Sequence, residues 1–245
     1  MLSLAFLLPL AAATAAAVGV TEVANITLVA NSSIAVFDEV TQVILQQPGA
    51  LTVRSSRLIE NSDSFRLLVD WESVEASLAF AETPAYEKLA NKVKPVLAQT
   101  PVTYNVELSP FPPVVFDNDE GRGESPVTEF LNFFFPGDAA GGYTADRKAN
   151  VTQAILNFLD DTKGTADGFT GQTAMGWVVE GEEIPYMGQS CRVFVLGVGW
   201  ESVAAHEAWM LTDAYKEYIP QLFALDGLLG IELRHVSSKV VRAEA

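Results

Sequence analysis

The sequence predicts an α+β chain made of two copies of one β-α-β-β-α-β unit, packed together as an intramolecular barrel. Two repeats predict it. Trp71 to Tyr86 returns at Trp200 to Tyr215 with nine of sixteen positions identical: Trp71, Glu72, Ser73, Val74, Ala76, Ala79, Thr83, Ala85 and Tyr86. The opening of the unit also returns. Val20-Thr21-Glu22-Val23-Ala24-Asn25 reappears as Val127-Thr128-Glu129-Phe130-Leu131-Asn132, with Val, Thr, Glu and Asn in place.

Each element of the first unit, residues 20–108, has a local reason. Val20 to Ala30 is rich in β-branched residues and reads as a strand. Asn31-Ser32-Ser33 starts a helix, on which Ile34, Phe37, Val40, Ile44 and Leu45 recur at helical spacing until Pro48-Gly49. Leu51 to Ile59 and Phe65 to Val69 read as paired strands, and Trp71 closes the second. Ser73 is placed to cap the next helix, which Pro84 kinks or divides. Val102 to Leu108 is the fourth strand. This order is that of a ferredoxin-like unit. Residues 109–125, first Pro-rich and then acidic, read as a solvated linker.

The second unit, residues 126–240, repeats the order. Its first strand starts at Val127, and Ala154, Ile155, Phe158 and Leu159 mark its first helix. Phe169 to Val179 and Arg192 to Val198 are the paired strands. The helix after Trp200 and the strand Gly230 to Val236 complete it. In a ferredoxin-like unit the helices cover one sheet face and leave the other bare, and a bare apolar face must be buried. Each copy can cover the other's.

Composition narrows the function. Lys and Arg number 15 against 31 Asp and Glu, giving a net charge of −16. Nucleic acid and anionic membrane surfaces reward clustered basic residues, so neither is an expected partner. The single cysteine, Cys191, permits no intrachain disulfide and sits in an apolar run, as a small buried hydrophobe. Residues 1–17 form an uncharged apolar leader with small residues at Ala13-Thr14-Ala15, the pattern of a cleavable signal peptide. Secretion is the expectation, and three N-glycosylation triplets, at Asn25, Asn31 and Asn150, fit it. His and Cys spacing shows no metal motif, and there is no Gly-rich phosphate loop or nucleophile elbow.

At Trp200 to Tyr215 the sequence resembles the antibiotic-biosynthesis monooxygenase superfamily of dimeric α+β barrels. The pattern is Trp-Glu-Ser, an aromatic nine residues after that Trp (Trp209, or Phe80 in the first copy), then Thr212-Asp213-Ala214-Tyr215. The resemblance covers both units and implies the barrel. It does not fix one activity, because the superfamily includes cofactor-independent oxygenases of quinone pathways, haem-degrading enzymes, and decarboxylase- or cyclase-like members. The haem-degrading branch carries an Asn and a Trp that Asn132 and Trp209 match. Its axial His falls at Ile219 here, and at Ala90 in the first copy, so haem is not expected. The quinone-forming branch implies an electron-rich phenol in an apolar cavity, deprotonated so that it can pass an electron to O₂ with no cofactor or metal.

The candidate site follows. His206, on a helical face with Val203 and Met210 and beside Trp209, is the first candidate base. The first copy has Ser77 there. His235, on the last strand, is the second candidate. Asn25 and Asn132 occupy equivalent strand positions and are expected to face a cavity, as hydrogen-bonding residues toward substrate. Trp209, Trp200 and Met210 are expected as cavity walls. Arg54 and Arg57 read as solvated. The expected partner is a small apolar or aromatic molecule. The leading expectation is an oxygenase acting on a phenolic or polyketide-like substrate. A non-catalytic secreted binding protein for an apolar ligand remains the alternative.

Overall fold

The structure, a computed structural model, describes residues 18–137 and 142–244. The leader expected over residues 1–17 lies outside the described residues. Unit one contains β1 (Val20–Thr27), α1 (Val36–Leu45), β2 (Ala50–Arg57), β3 (Ser64–Trp71), α2 (Val74–Ala81), α3 (Pro84–Val93) and β4 (Val102–Val106). Unit two contains β5 (Val127–Pro136), α4 (Ala145–Thr162), β6 (Phe169–Trp177), β7 (Ile184–Tyr186), β8 (Gln189–Trp200), α5 (Val203–Met210), α6 (Asp213–Phe223), β9 (Gly230–Val236) and β10 (Lys239–Arg242). Pro84 does divide the first unit's helix, standing as the first residue of α3 behind the Thr83 cap. The second unit splits at the same place without a proline, because Thr212 caps α6 through Tyr215 N.

The two ferredoxin-like sheets are antiparallel, in the orders β10-β2-β3-β1-β4 and β6-β8-β5-β9. They pack face to face around Val23, Leu68, Tyr104, Phe130, Phe134 and Val195. The helices cover the outer faces, each over its own core: Phe37, Val40, Ile44, Trp71 and Phe80 in unit one, and Ile155, Phe158, Trp200, Trp209 and Leu222 in unit two. Three layers of apolar packing result, and the middle one closes the barrel.

The tail of each unit crosses to the other's sheet. Strand β10 pairs with β2 of unit one, while Val106 at the end of β4 and Ser109 just past it bridge to Val178 and Met175 of unit two. Period-two alternation could not reveal β10, because it is four residues long and outlasts the repeat.

Residues 109–125 are not the solvated spacer that their composition suggests. Val115 and Phe116 are fully buried between the sheets. Asn118 is buried as well, and its amide serves Ser125 O, Thr128 Oγ1 and Ser238 N. Arg54 is a second correction. Its guanidinium is buried, bonded to Asp70 at 2.7 Å and to Asp117 of the linker at 2.5 Å. Arg57, half-buried, donates to the backbone oxygens of Ser32 and Ser62. Asp117 also pairs with Arg242 of β10. One linker acid, Asp117, is thus spent on two arginines of the sheet it crosses.

Candidate functional site

In unit two, alternation on β5 sends Glu129, Leu131, Phe133 and Phe135 toward the helices, and Phe130, Asn132 and Phe134 toward the other sheet. Glu129 is therefore one carboxyl on an otherwise apolar inner face. It is 6 % exposed. Trp200, at the end of β8, donates its Nε1–H to Glu129 Oε2 at 3.0 Å. Burial outweighs that bond and pushes the carboxyl up to about 7.

His206 meets this carboxyl from above. Ser202 caps α5 through Ala205 N, which fixes the first turn and places His206 and Trp209 on the buried side. Close passage of the chain is needed there. A Cβ on Gly168 would lie 2.6 Å from Ala205 Cβ, and its φ of +81° suits glycine. The twin glycine, Gly49, meets Ala76 in the same way. His206 Nε2 lies 3.5 Å from Glu129 Oε1. Its Nδ1 lies 2.8 Å from His235 Nε2, and His235 Nδ1 lies 2.5 Å from Glu60 Oε1. Glu60 also accepts the His235 backbone N–H. It comes from the β2–β3 turn of unit one, so the row of four groups spans both units.

The tautomers follow from the outer end. Glu60 is held below the usual carboxylate range: burial pushes it up, but the bonds from the His235 backbone and ring prevail. An ionised Glu60 requires a proton on His235 Nδ1. With its Nδ1 committed to Glu60, His235 accepts at Nε2, so His206 Nδ1 carries the proton between the rings. His206 Nε2 is left bare, facing Glu129. Burial, with His235 alongside, pushes His206 down to about 4, so it is neutral at pH 7.

The two shifts oppose each other in stability. The raised Glu129 favours the folded state while protonated, so its contribution is full below 4.5 and is lost as pH rises through about 7. The lowered His206 contributes above 6.5 and is lost as pH falls toward about 4. Glu129→Gln removes only the first. Its stability relative to wild type should rise by up to about 3 kcal/mol between pH 4.5 and 8, at ~1.4 kcal/mol per tenfold change in acidity. Urea unfolding at stepped pH checks this.

Beside Glu129 and His206 lies a cavity of about 230 Å³, walled by Phe158, Trp209, Tyr215, Ile219, Leu222 and Leu233 among others. Trp200 lines it too. Trp209 Nε1 is buried with no acceptor among the described residues, a donor at the cavity wall. Ile219 supplies an aliphatic wall where the resemblance would need an axial His. Met210 follows Trp209 on α5 but is not among the lining residues. Asn25 and Asn132 face the opposite side of their sheets, into a separate cavity between the two sheets. Thus the structure brings His206, His235, Trp200 and Trp209 together, and places both asparagines elsewhere.

Sequence reasoning missed Glu129 and Glu60. The signal for Glu129 was present: Thr-Glu recurs at 21–22 and 128–129, on strands otherwise apolar on that face. Glu60 had none, being one acid in a polar turn.

Unit one holds the same frame with different chemistry. Glu22 accepts from Trp71 Nε1 at 3.0 Å and from Ser77 at 3.3 Å. Asn105 stands where His235 stands, and Glu182 of unit two reaches it as Glu60 reaches His235. The carboxylates are kept and both imidazoles are absent.

This architecture and site define a tandem, fused version of a dimeric α+β barrel with one elaborated cavity. Residues 32–92 match the family model for antibiotic biosynthesis monooxygenase. That family, abbreviated ABM, is matched within unit one, and the chain as a whole is a tandem of ferredoxin-like units similar to it. An anthrone oxidase-like protein has a similar fold over 93 % of this chain and 94 % of its own, at 12 % identity and a TM-score of 0.63. A candidate monooxygenase from Fusobacterium nucleatum subsp. nucleatum covers 92 % and 95 %, at 9 % identity and 0.56. No curated protein matches the chain by sequence.

Proposed function

We propose that this protein is a small-molecule enzyme of ABM type that oxygenates a phenol without a cofactor, in the helix-side cavity of unit two. The observation that carries this reading is the buried Glu129 carboxyl, poised near pH 7 in an apolar cavity and followed by His206, His235 and Glu60. A general base works best with a pKa near the operating pH. The anthrone oxidase-like and monooxygenase relatives support the reaction class through shared fold alone.

In the proposed step, ionised Glu129 takes the phenol proton. The apolar walls exclude water and leave the phenolate electron-rich. The phenolate reduces O₂, and oxygen enters at the ring carbon para to the hydroxyl. A phenol with a free para C–H plus one O₂ gives one para-quinone and one water. The Trp209 N–H is placed to donate to a developing oxyanion.

The four-group row gives the proton a way out. Glu129 passes it to His206 Nε2 while the His206 Nδ1 proton moves to His235 Nε2. His206 ends with one ring proton as it began, the His235 ring gains one, and ionised Glu60, at the surface end, balances the added charge. Every hop is along a contact already in place.

Cavity volume sets substrate size. About 230 Å³ falls below the ~300–1,000 Å³ of drug-sized pockets, which favours one or two rings over a long polyketide. The test is O₂ uptake with quinone formation from a panel of one- and two-ring phenols, in chelator-treated buffer. One O₂ consumed per quinone formed is expected. Tight binding of a phenol that is returned unchanged would favour the ligand-binding alternative and overturn the enzyme reading.

A further inference from the structure

The face of the sheets that carries Asn25 and Asn132 holds a second cavity, of about 280 Å³, between the two units. Arg66 of β3 projects into it and is 6 % exposed. Its guanidinium lies 3.9 Å above the Phe130 ring, and its Nε donates to Asn25 Oδ1 at 2.9 Å. Its Nη1 is buried with no acceptor among the described residues.

No carboxylate forms an ion pair with Arg66 among the described residues. Glu232 and Arg234 stand exposed at the rim with opposite charges, and Glu232 acts on the guanidinium only from a distance. The contrast with Arg54, held by two aspartates, is direct. A buried cation with no counter-ion is costly, and native structures pair or ligate such groups.

The polar atoms around Arg66 are already committed in one direction. Asn132 Oδ1 accepts from Tyr104 OH at 3.1 Å, which turns the Asn132 amide NH₂ away from that bond. Asn25 Oδ1 is spent on Arg66 itself. Beside the guanidinium, the donors left for a ligand are Arg66 Nη1 and Asn132 Nδ2. The rest of the lining mixes apolar Val102, Phe134 and Ile184 with polar Thr27, Ser64 and Gln99.

We propose that the inter-sheet cavity is a binding site for a small aromatic or short-chain carboxylate, whose carboxylate pairs with Arg66 and Asn132. This site does not depend on the oxygenase reading. It lies on the opposite sheet face from Glu129 and His206 and shares no lining residue with their cavity.

Isothermal titration of the full chain with benzoate tests it. One site is expected per chain in wild type. Arg66→Met removes the cation and should weaken benzoate at least tenfold. Asn132→Asp keeps the guanidinium but supplies an internal carboxylate, and should weaken it by as much. The second variant holds the test open if the first does not fold. Absence of benzoate binding to wild type, or equal affinity in wild type and a folded variant, would overturn the proposal. Inorganic phosphate binding more tightly than benzoate would overturn the assignment to a carboxylate.

Discussion

Glu129→Gln should lower phenol turnover by about 10²–10⁴-fold, the usual contribution of one positioned acid–base group. The substitution keeps the size of the side chain and an oxygen for the Trp200 N–H, but cannot take a proton. His206→Ala should fall in the same range, since it removes the only imidazole in contact with Glu129 and opens space beside Trp200, whose ring centroid is 4.8 Å from His206. Both losses belong in kcat, because neither group is needed to hold an apolar ring in the cavity. Their combined variant should lose little more than either alone, as members of one relay are not additive. Glu22→Gln, the same change in unit one, should leave turnover within a factor of two. Glu22 is half-buried, hydrogen-bonded and raised by burial like its twin, but it faces Ser77 and no histidine. Equal losses from Glu22→Gln and Glu129→Gln would place the reaction outside unit two alone.

The second large effect is on stability. Arg54→Met should destabilise the fold by about 3–5 kcal/mol, read as a shift of the urea midpoint. Asp70 is fully buried, and its carboxyl oxygens are held by Arg54 and the Thr21 hydroxyl. Burial alone raises the Asp70 carboxyl, and Arg54 is the main opposing influence. Without Arg54 that carboxylate must ionise unpaired or take a proton. Asp117 loses a partner in the same change, and with it the linker and β10 lose a common anchor. Arg54→Met combined with Asp70→Leu should recover much of the loss, because an apolar pair of similar volume often equals a buried ion pair.

The repeat made the architecture legible. Two copies of Trp-Glu-Ser-Val, each at a strand–helix junction, were enough to set the unit, its order and the need for a face-to-face partner. Local chemistry also marked one helix start, since Ser73 caps α2 as a side-chain acceptor, and Ser202 does the same for α5. The tails were not legible. Lys239–Arg242 gains its strand character only from β2, a partner some 185 residues earlier in the register. The linker looked solvated because its acids were visible in the sequence, while the arginines that hold Asp117, Arg54 and Arg242, were far away.

The site was half legible for a similar reason. The only two histidines in the chain stood out by type, and unit comparison marked His206 against Ser77. Their meeting at 2.8 Å depends on β9 lying beside β5 in a register that sets His235 opposite Glu129. Asn132 shares β5 with Glu129 but lies three residues on, so strand alternation sends it to the other face. A resemblance can carry a residue type to a position. It cannot carry the cavity that the side chain enters.

The imidazoles themselves give the most direct test, because the chain has only two histidines and each ring can be followed alone. Protein labelled with ¹⁵N-histidine would be titrated from pH 8 to pH 4 by NMR. The account predicts that His206 is neutral at pH 5.5, protonated on Nδ1 and bare on Nε2, and gains its second proton only near pH 4. An imidazolium at His206 at pH 5.5, or a fixed Nε2–H tautomer there, would contradict the relay and remove His206 from the reaction.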